Sequence, residues 1–438
     1  MHQMRITETD GQPSPLALVE GDTDAFYAHH VTETGETRAV VASEDIFSES
    51  GHKLVARDAA INRRMYEKLT RHKLQRPLDH SLSIDEAVDT HDLLIAGRAI
   101  AEESRFMAVL GKGMDEPQLP LETLASVRLI APMAAKLTVM RERLPHQFEH
   151  SIPVALCAVA LAVLAGHRYP DFLREIATAG LFHDLGCLHI EPAIFEQNRP
   201  LEPDEERQLR AHPLIASMLL EEFREYPEAV HKAVLEHHER LDGTGYPYGL
   251  EGETIGRHGR ILAAAEMVVG LSSRRDGRTL GTILRSQPEK FDPEVVRGLL
   301  RALQHCPESG ALTDFEPETL VAEWRETLKL IEQARELHAE QDPLIRRAMT
   351  ARLESLERTL DRTGLRGNTP EAWAEVIRES PEAALELAAL SREGRFALRE
   401  IVTEIRYRLY RARMKGRTPS GEEEDEALAL WMAAVNNR

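Results

Sequence analysis

Residues 171–184 read DFLREIATAGLFHD, and the fold class follows from what this stretch is. Leu173, Ile176, Ala177 and Leu181 fall on one face, so the segment reads as a helix with a buried stripe, and the helix ends in His183-Asp184. Adjacent residues at a helix end can turn toward one metal ion, the imidazole nitrogen and the carboxylate oxygen making a mixed N/O site. As an isolated dipeptide the pair fits a surface His-Asp equally well. Its weight comes from what surrounds it.

Between Pro145 and Pro307 lie eleven of the chain's nineteen histidines. His150 stands 33 residues before His183, His212 stands 28 after Asp184, His237 and His238 follow 25 and 26 after His212, and Glu266 follows 29 after His237. Each sits in or beside an apolar helical run, such as Ile152–Leu164 or Ile261–Val269, where an unpaired imidazole or carboxylate is costly to bury. Shared coordination of metal removes that cost. Taken singly, each residue also has a plain reading as a satisfied or exposed side chain.

The rest of the chain frames this centre. A length of 438 residues allows two to four domains. The net charge of −19 argues against broad attraction to DNA, RNA or an anionic membrane surface, though not against a local basic pocket for a small anion. Cys157, Cys187 and Cys306 are scattered and odd in number, without a disulfide or thiolate zinc pattern. With the polar opening MHQMRITETDGQP, this reads as a cytoplasmic protein. The longest apolar run, Ile152–Gly166, is 15 residues and falls short of a membrane span.

The fold class expected is mainly α, in three parts: a small α+β domain over residues 1–135, read as regulatory; a helical metal-binding domain over 136–310; and a helical region over 311–438. The first part shows β-rich stretches (PLALVE, TRAVVA, HKLVA), a helix from Ala59 capped by Asp58, and helices over Ile84–Phe106 and Leu121–Leu144. In the last, Leu320, Trp324, Leu328 and Ile331, and then Ile345, Met349, Leu353, Leu356 and Leu360, make buried stripes. Asp342-Pro343, Thr369-Pro370 and Ser380-Pro381 mark helix starts. This region reads as packing or partner surface rather than chemistry.

The run His237-His238-Glu239-Arg240-Leu241-Asp242-Gly243-Thr244-Gly245-Tyr246-Pro247 resembles the HHExxDGxGYP signature of the HD-GYP family. HDLG at His183–Gly186 and His212-Pro213 stand at the matching spacing, and the resemblance covers about residues 137–310. It implies a helical HD-type domain holding two, in some members three, divalent ions, iron or manganese, and acting as a phosphodiesterase on the bacterial second messenger cyclic di-GMP. The metal ligands it implies are His150, His183, Asp184, His212, His237, His238 and Glu266, with Asp184 bridging. Asp184 and Arg275 would be catalytic, and Tyr246, Gly243, Gly245 and Arg275 would meet substrate. Tyr246 equally fits simple packing and the glycines fit loop geometry. Arg240 and Arg260 read better as salt-bridge partners than as phosphate contacts. Imidazole and carboxylate donors suit Fe, Mn or Zn better than Mg or Ca, and a metal pair activates water for in-line displacement at phosphorus.

The chain departs from the family pattern at three places. Cys187 stands where HDxGK has lysine, Glu266 where the last acidic ligand is aspartate, and Gly277 where a tyrosine follows the matched arginine. His146, four residues before His150, reads equally as a third-metal ligand and as a helix-cap residue, and His189 as a buried structural histidine. The function implied is hydrolysis of cyclic di-GMP to linear pGpG, with GMP as a further product. The alternative is an impaired relative that binds metal or cyclic di-GMP and signals through its flanking domains, as a homodimer or to a protein partner. A third reading, a hydrolase of another nucleotide, leaves the DGxGYP loop unexplained.

Overall fold

The computed structural model describes residues 23–195, 201–272, 280–281, 284, 288–304, 317–340, 343–362, 370–414 and 422–436. Helix α1 (Thr23–Thr34) is followed by four short strands, β1 (Val40–Ala42), β2 (Ile46–Phe47), β3 (Lys53–Val55) and β4 (Leu82–Ile84). They form two antiparallel ribbons, β1 with β4 in the register Val40 to Ile84, and β2 with β3. The stretch Pro15–Glu20 lies outside the described residues.

Three helix expectations in this part are corrected. Asp58 occupies a turn with φ of 64° rather than a cap, and the chain after it pairs with β1: the Ala42 N–H donates to Ala59 O at 3.0 Å and the Ile61 N–H to Val40 O at 2.8 Å. Helix begins only with a tight turn at Arg63–Met65, capped by the Asn62 side chain, and α2 (Tyr66–Thr70). Ile84 ends β4; α3 (Thr90–Glu103) starts at Asp89, which exchanges capping bonds with Asp92, and Ser104 caps a separate α4 (Arg105–Lys112). Leu121–Leu144 is divided between α5 (Leu119–Ala125) and α6 (Ala131–Arg143), because Pro132 lacks an N–H and fits only a first helical turn.

The helical domain is built around α7 (Pro145–Leu164), on which α8 (Pro170–Phe182), α12 (Arg257–Ser272), α5 and α6 pack. By length and composition α7 is apolar enough to cross a membrane, but 72% of its apolar window is buried within the protein, which makes it a core helix. Between α8 and α12 run α9 (Pro203–Arg210), α10 (His212–Glu221) and α11 (Glu228–Glu236), and α13 (Pro293–Leu303) closes the domain. Buried side chains from Tyr27 to Ala302 form one connected core that crosses residue 135 without a break.

A second core runs from Leu320 to Val435, built by α14 (Pro317–Glu340), α15 (Pro343–Arg362), α16 (Pro370–Glu379), α17 (Pro381–Met414) and α18 (Glu422–Asn436). Ile345, Met349, Leu353, Leu356 and Leu360 are all buried, and three of these helices start at the prolines 343, 370 and 381.

Candidate metal centre

Three histidines at helix junctions are oriented by the same device. At the end of a helix the last carbonyls lack intrahelical partners. The Nδ1–H of His183 donates to Gly180 O at 2.8 Å, that of His212 to Leu209 O at 2.6 Å, and that of His237 to Val234 O at 2.6 Å, each reaching back three residues. Each Nδ1 thereby holds a proton, and Nε2 is the ring nitrogen left to meet its neighbours.

These Nε2 atoms converge. His212 Nε2 and His237 Nε2 lie 3.1 Å apart, and His183 Nε2 is buried without a hydrogen-bond partner. Two lone pairs at 3.1 Å repel unless a cation stands near both. Asp184 lies between the two halves: Oδ2 is 3.4 Å from His183 Nε2 and Oδ1 is 3.3 Å from His212 Nε2. On one side His150 Nε2 meets Glu266 Oε2 at 2.8 Å, and the same oxygen is 3.4 Å from His183 Nε2. On the other, His212, His237 and His238 bring donor atoms within 4.8 Å of one another. His150, His183 and Asp184 form a second such group, and Asp184, Cys187 and His212 a third. The donor set fits divalent metal, with Asp184 shared between groups.

Charge in this pocket also calls for a cation. Burial disfavours the ionised forms of Asp184 and Glu266, yet both are held well below the usual carboxylate range, Asp184 by His183 and His212, Glu266 by its bond with His150 and by the nearby His183 ring. Burial works against an imidazolium at His183, but the carboxylates of Asp184 and Glu266 outweigh it and raise that ring well above its ordinary value. His237 and His238 move the other way, pushed well down by burial and by neighbouring imidazoles. Burial lowers His212 as well, against the pull of Asp184.

The approach of the HDLG turn to α10 depends on Gly186, where a Cβ would stand 2.1 Å from His212 O. The 242–247 loop is equally tight: Gly243 has φ of 75°, and a Cβ on Gly245 would lie 2.4 Å from Glu239 Cα. Glu239 is buried and accepts the N–H groups of Tyr248 at 2.7 Å and Leu250 at 3.0 Å; burial pushes its carboxyl up to about 7. Tyr246 is thus set flat against His238, with ring centroids 4.6 Å apart, and the Arg210 guanidinium covers its ring at 5.1 Å.

His146 is exposed and belongs to none of the donor groups found among the described residues. Arg275 and Gly277 lie outside the described residues. Arg240 lies over Phe291 and Arg260 pairs with Asp292 at 3.1 Å. His189 is buried, stacked on Tyr27 and 3.3 Å from the Lys136 ammonium, which also pairs with buried Asp79. Cys187 is buried; desolvation, then Asp184 and Glu266, raise its thiol well above the ordinary value. Arg210 was not singled out from the sequence: an arginine ending a charged helix carries no signal of its place beside Tyr246.

Residues 137–295 match the family model of the HD domain. A cyclic di-GMP phosphodiesterase of Pseudomonas aeruginosa is 29% identical over 249 residues, 55% of this chain and 60% of that protein. The 3'3'-cGAMP-specific phosphodiesterase 3 of Vibrio cholerae is 31% identical over 175 residues, 37% of each chain. The chain therefore spans less than two thirds of these relatives. Among solved structures, an HDG"Y"P protein from Bdellovibrio bacteriovorus is 14% identical, covers 60% of this chain and 95% of its own, and superposes with a TM-score of 0.33. The HD match spans the histidine cluster and the HHERLDGTGYP run, so the middle of this chain is similar to HD domains and, in that run, to the HD-GYP signature.

Proposed function

We propose that this chain is a metal-dependent phosphodiesterase that opens cyclic di-GMP to linear pGpG. The observation that carries the reading is the convergence of His183 Nε2 and His212 Nε2 on the two oxygens of Asp184, with His237 Nε2 3.1 Å from that of His212, His150 and Glu266 on one flank and His238 on the other. Bound there, two divalent cations would supply Lewis acidity to an attacking water and to the phosphoryl oxygens. Iron or manganese suits this donor set.

The chain's own groups do the rest. Backbone carbonyls at helix ends hold protons on Nδ1, so the imidazoles stay oriented through the cycle. Asp184 spans both donor groups and fixes their separation. Tyr246, stacked on His238 and covered by Arg210, stands beside the donors where its edge and hydroxyl would meet substrate, and Arg210 and Arg275 are the cations assigned to the phosphates. In the hydrolysis, water oxygen forms a bond to phosphorus as the bond to the 3′ oxygen breaks, and the water protons end on the two separated oxygens.

A second reading rests on Cys187: where the family pattern has lysine, a buried neutral thiol faces Asp184 and His212 and supplies no charge to phosphate. It predicts a protein that binds metal and cyclic dinucleotide with little turnover. Both readings are tested by anaerobic purification, metal counting, and turnover of cyclic di-GMP and of 3'3'-cGAMP, the substrate named for the Vibrio relative, by wild type and Asp184→Ala. Metal with turnover that Asp184→Ala abolishes supports the enzyme. Metal and ligand binding without turnover supports the second reading, and absence of metal removes both.

A further inference from the structure

The 242–247 loop is gripped from outside the HD domain. Asp242 closes the loop turn by accepting the Thr244 N–H at 3.1 Å and the Thr244 hydroxyl at 2.6 Å on Oδ1. Its other oxygen, Oδ2, accepts a hydrogen bond from the Ser355 hydroxyl at 3.1 Å, and Ser355 is buried on α15 in the second core. One turn earlier on the same helix, Arg352 Nη2 donates to Thr244 O at 3.0 Å. From α17, Glu404 lies 4.0 Å from Arg210, the residue whose guanidinium covers Tyr246. Contacts from two helices of the C-terminal bundle thus reach the same loop, its turn-forming carboxylate, one of its carbonyls and the cation over its tyrosine.

We propose that the C-terminal bundle is a working part of the site, with Ser355 and Arg352 acting as positioning residues that fix the 242–247 loop and hence the place of Tyr246 and Arg210 beside the donors, where a cyclic dinucleotide would meet them. The proposal rests on the function read above. Two independent cores meet here, and a hydroxyl bonded to a carboxylate and a guanidinium bonded to a carbonyl are both charge-assisted, so they specify geometry more sharply than an apolar contact between the same helices would. Displacement of α15 would withdraw both donors from the loop together.

The test uses the full-length, metal-loaded protein and the variants Ser355→Ala, Arg352→Ala and Ser355→Thr. For each of the first two, KM for cyclic di-GMP is expected to rise about fivefold, the worth of one hydrogen bond, with kcat and metal per chain unchanged within about twofold. Amide hydrogen exchange over residues 243–250 is expected to quicken, and Ser355→Thr, which keeps the hydroxyl, to restore both readouts. Unchanged KM and unchanged loop exchange in both alanine variants would overturn the proposal, as would a rise in KM accompanied by loss of metal. A wild type that neither binds nor hydrolyses cyclic di-GMP would sink the functional reading instead, and loop exchange would still decide whether Ser355 and Arg352 hold the loop.

Discussion

Asp184 carries a charge that burial opposes, and it keeps that charge because imidazoles on both sides depend on it. Asp184→Asn preserves the shape and removes the charge, so metal per chain should fall by about half or more and turnover at least about 100-fold, as metal counting and a product assay would register. His30, which belongs to none of the donor groups found among the described residues, gives a different test. Both its ring nitrogens are buried without a hydrogen-bond partner, and burial, then His29 and Arg143, lower it to about 4. The unfolded imidazole takes a proton as pH falls through about 6.5, the folded one only near 4, so between these values the unfolded state binds more protons and stability is lost as pH falls. The loss integrates to about 3 kcal/mol. Urea titrations of wild type and His30→Leu from about pH 7.5 to 4 should show wild type losing that much more than the variant; a difference constant with pH would contradict the assignment.

Helix ends, more than helix middles, decide where the chemistry sits. His183, His212 and His237 each stand at such an end, and Gly186 lets the turn after α8 lie against α10. Gly186→Ala puts a methyl group 2.1 Å from the His212 carbonyl, so the turn must move. Loss of about 1 to 3 kcal/mol in a urea midpoint, together with weaker metal retention on dialysis, is expected, and unchanged metal retention would show that Asp184 and His212 do not need this contact. Ends were also where the sequence was most and least readable. Prolines 343, 370 and 381 start helices as read, because a proline fits a first turn and little else. Asp58 misled because its φ of 64° and the pairing of Ala59 and Ile61 with β1 are tertiary facts that no local cap signal reports. The histidines were legible since buried imidazoles in apolar helices are expensive unless shared. Ser355 and Arg352 were not, since a serine and an arginine on an amphipathic helix look the same whether they face solvent or another domain's loop.

At the scale of the whole chain, two cores are joined through polar contacts at the 242–247 loop and at α9. All three tryptophans, Trp324, Trp373 and Trp431, lie in the C-terminal bundle, where Trp431 donates its ring N–H to Leu330 O at 2.9 Å. Tryptophan emission therefore reports the second core alone, while far-UV circular dichroism reports both. Metal held by the first core and not by the unfolded chain stabilises that core by about 2.7 kcal/mol at a hundredfold excess over Kd. For a unit of this size, that is roughly 5 to 10 °C in midpoint. Stripping metal with a chelator should lower the circular dichroism transition by this amount and leave the emission transition within about 2 °C, because each core has its own buried side chains and the hydrogen bonds that join them at the 242–247 loop contribute about 1 kcal/mol each. If emission and circular dichroism shift together, the bundle and the HD domain form one cooperative unit, and the interface that includes Ser355, Arg352 and Glu404 couples their unfolding.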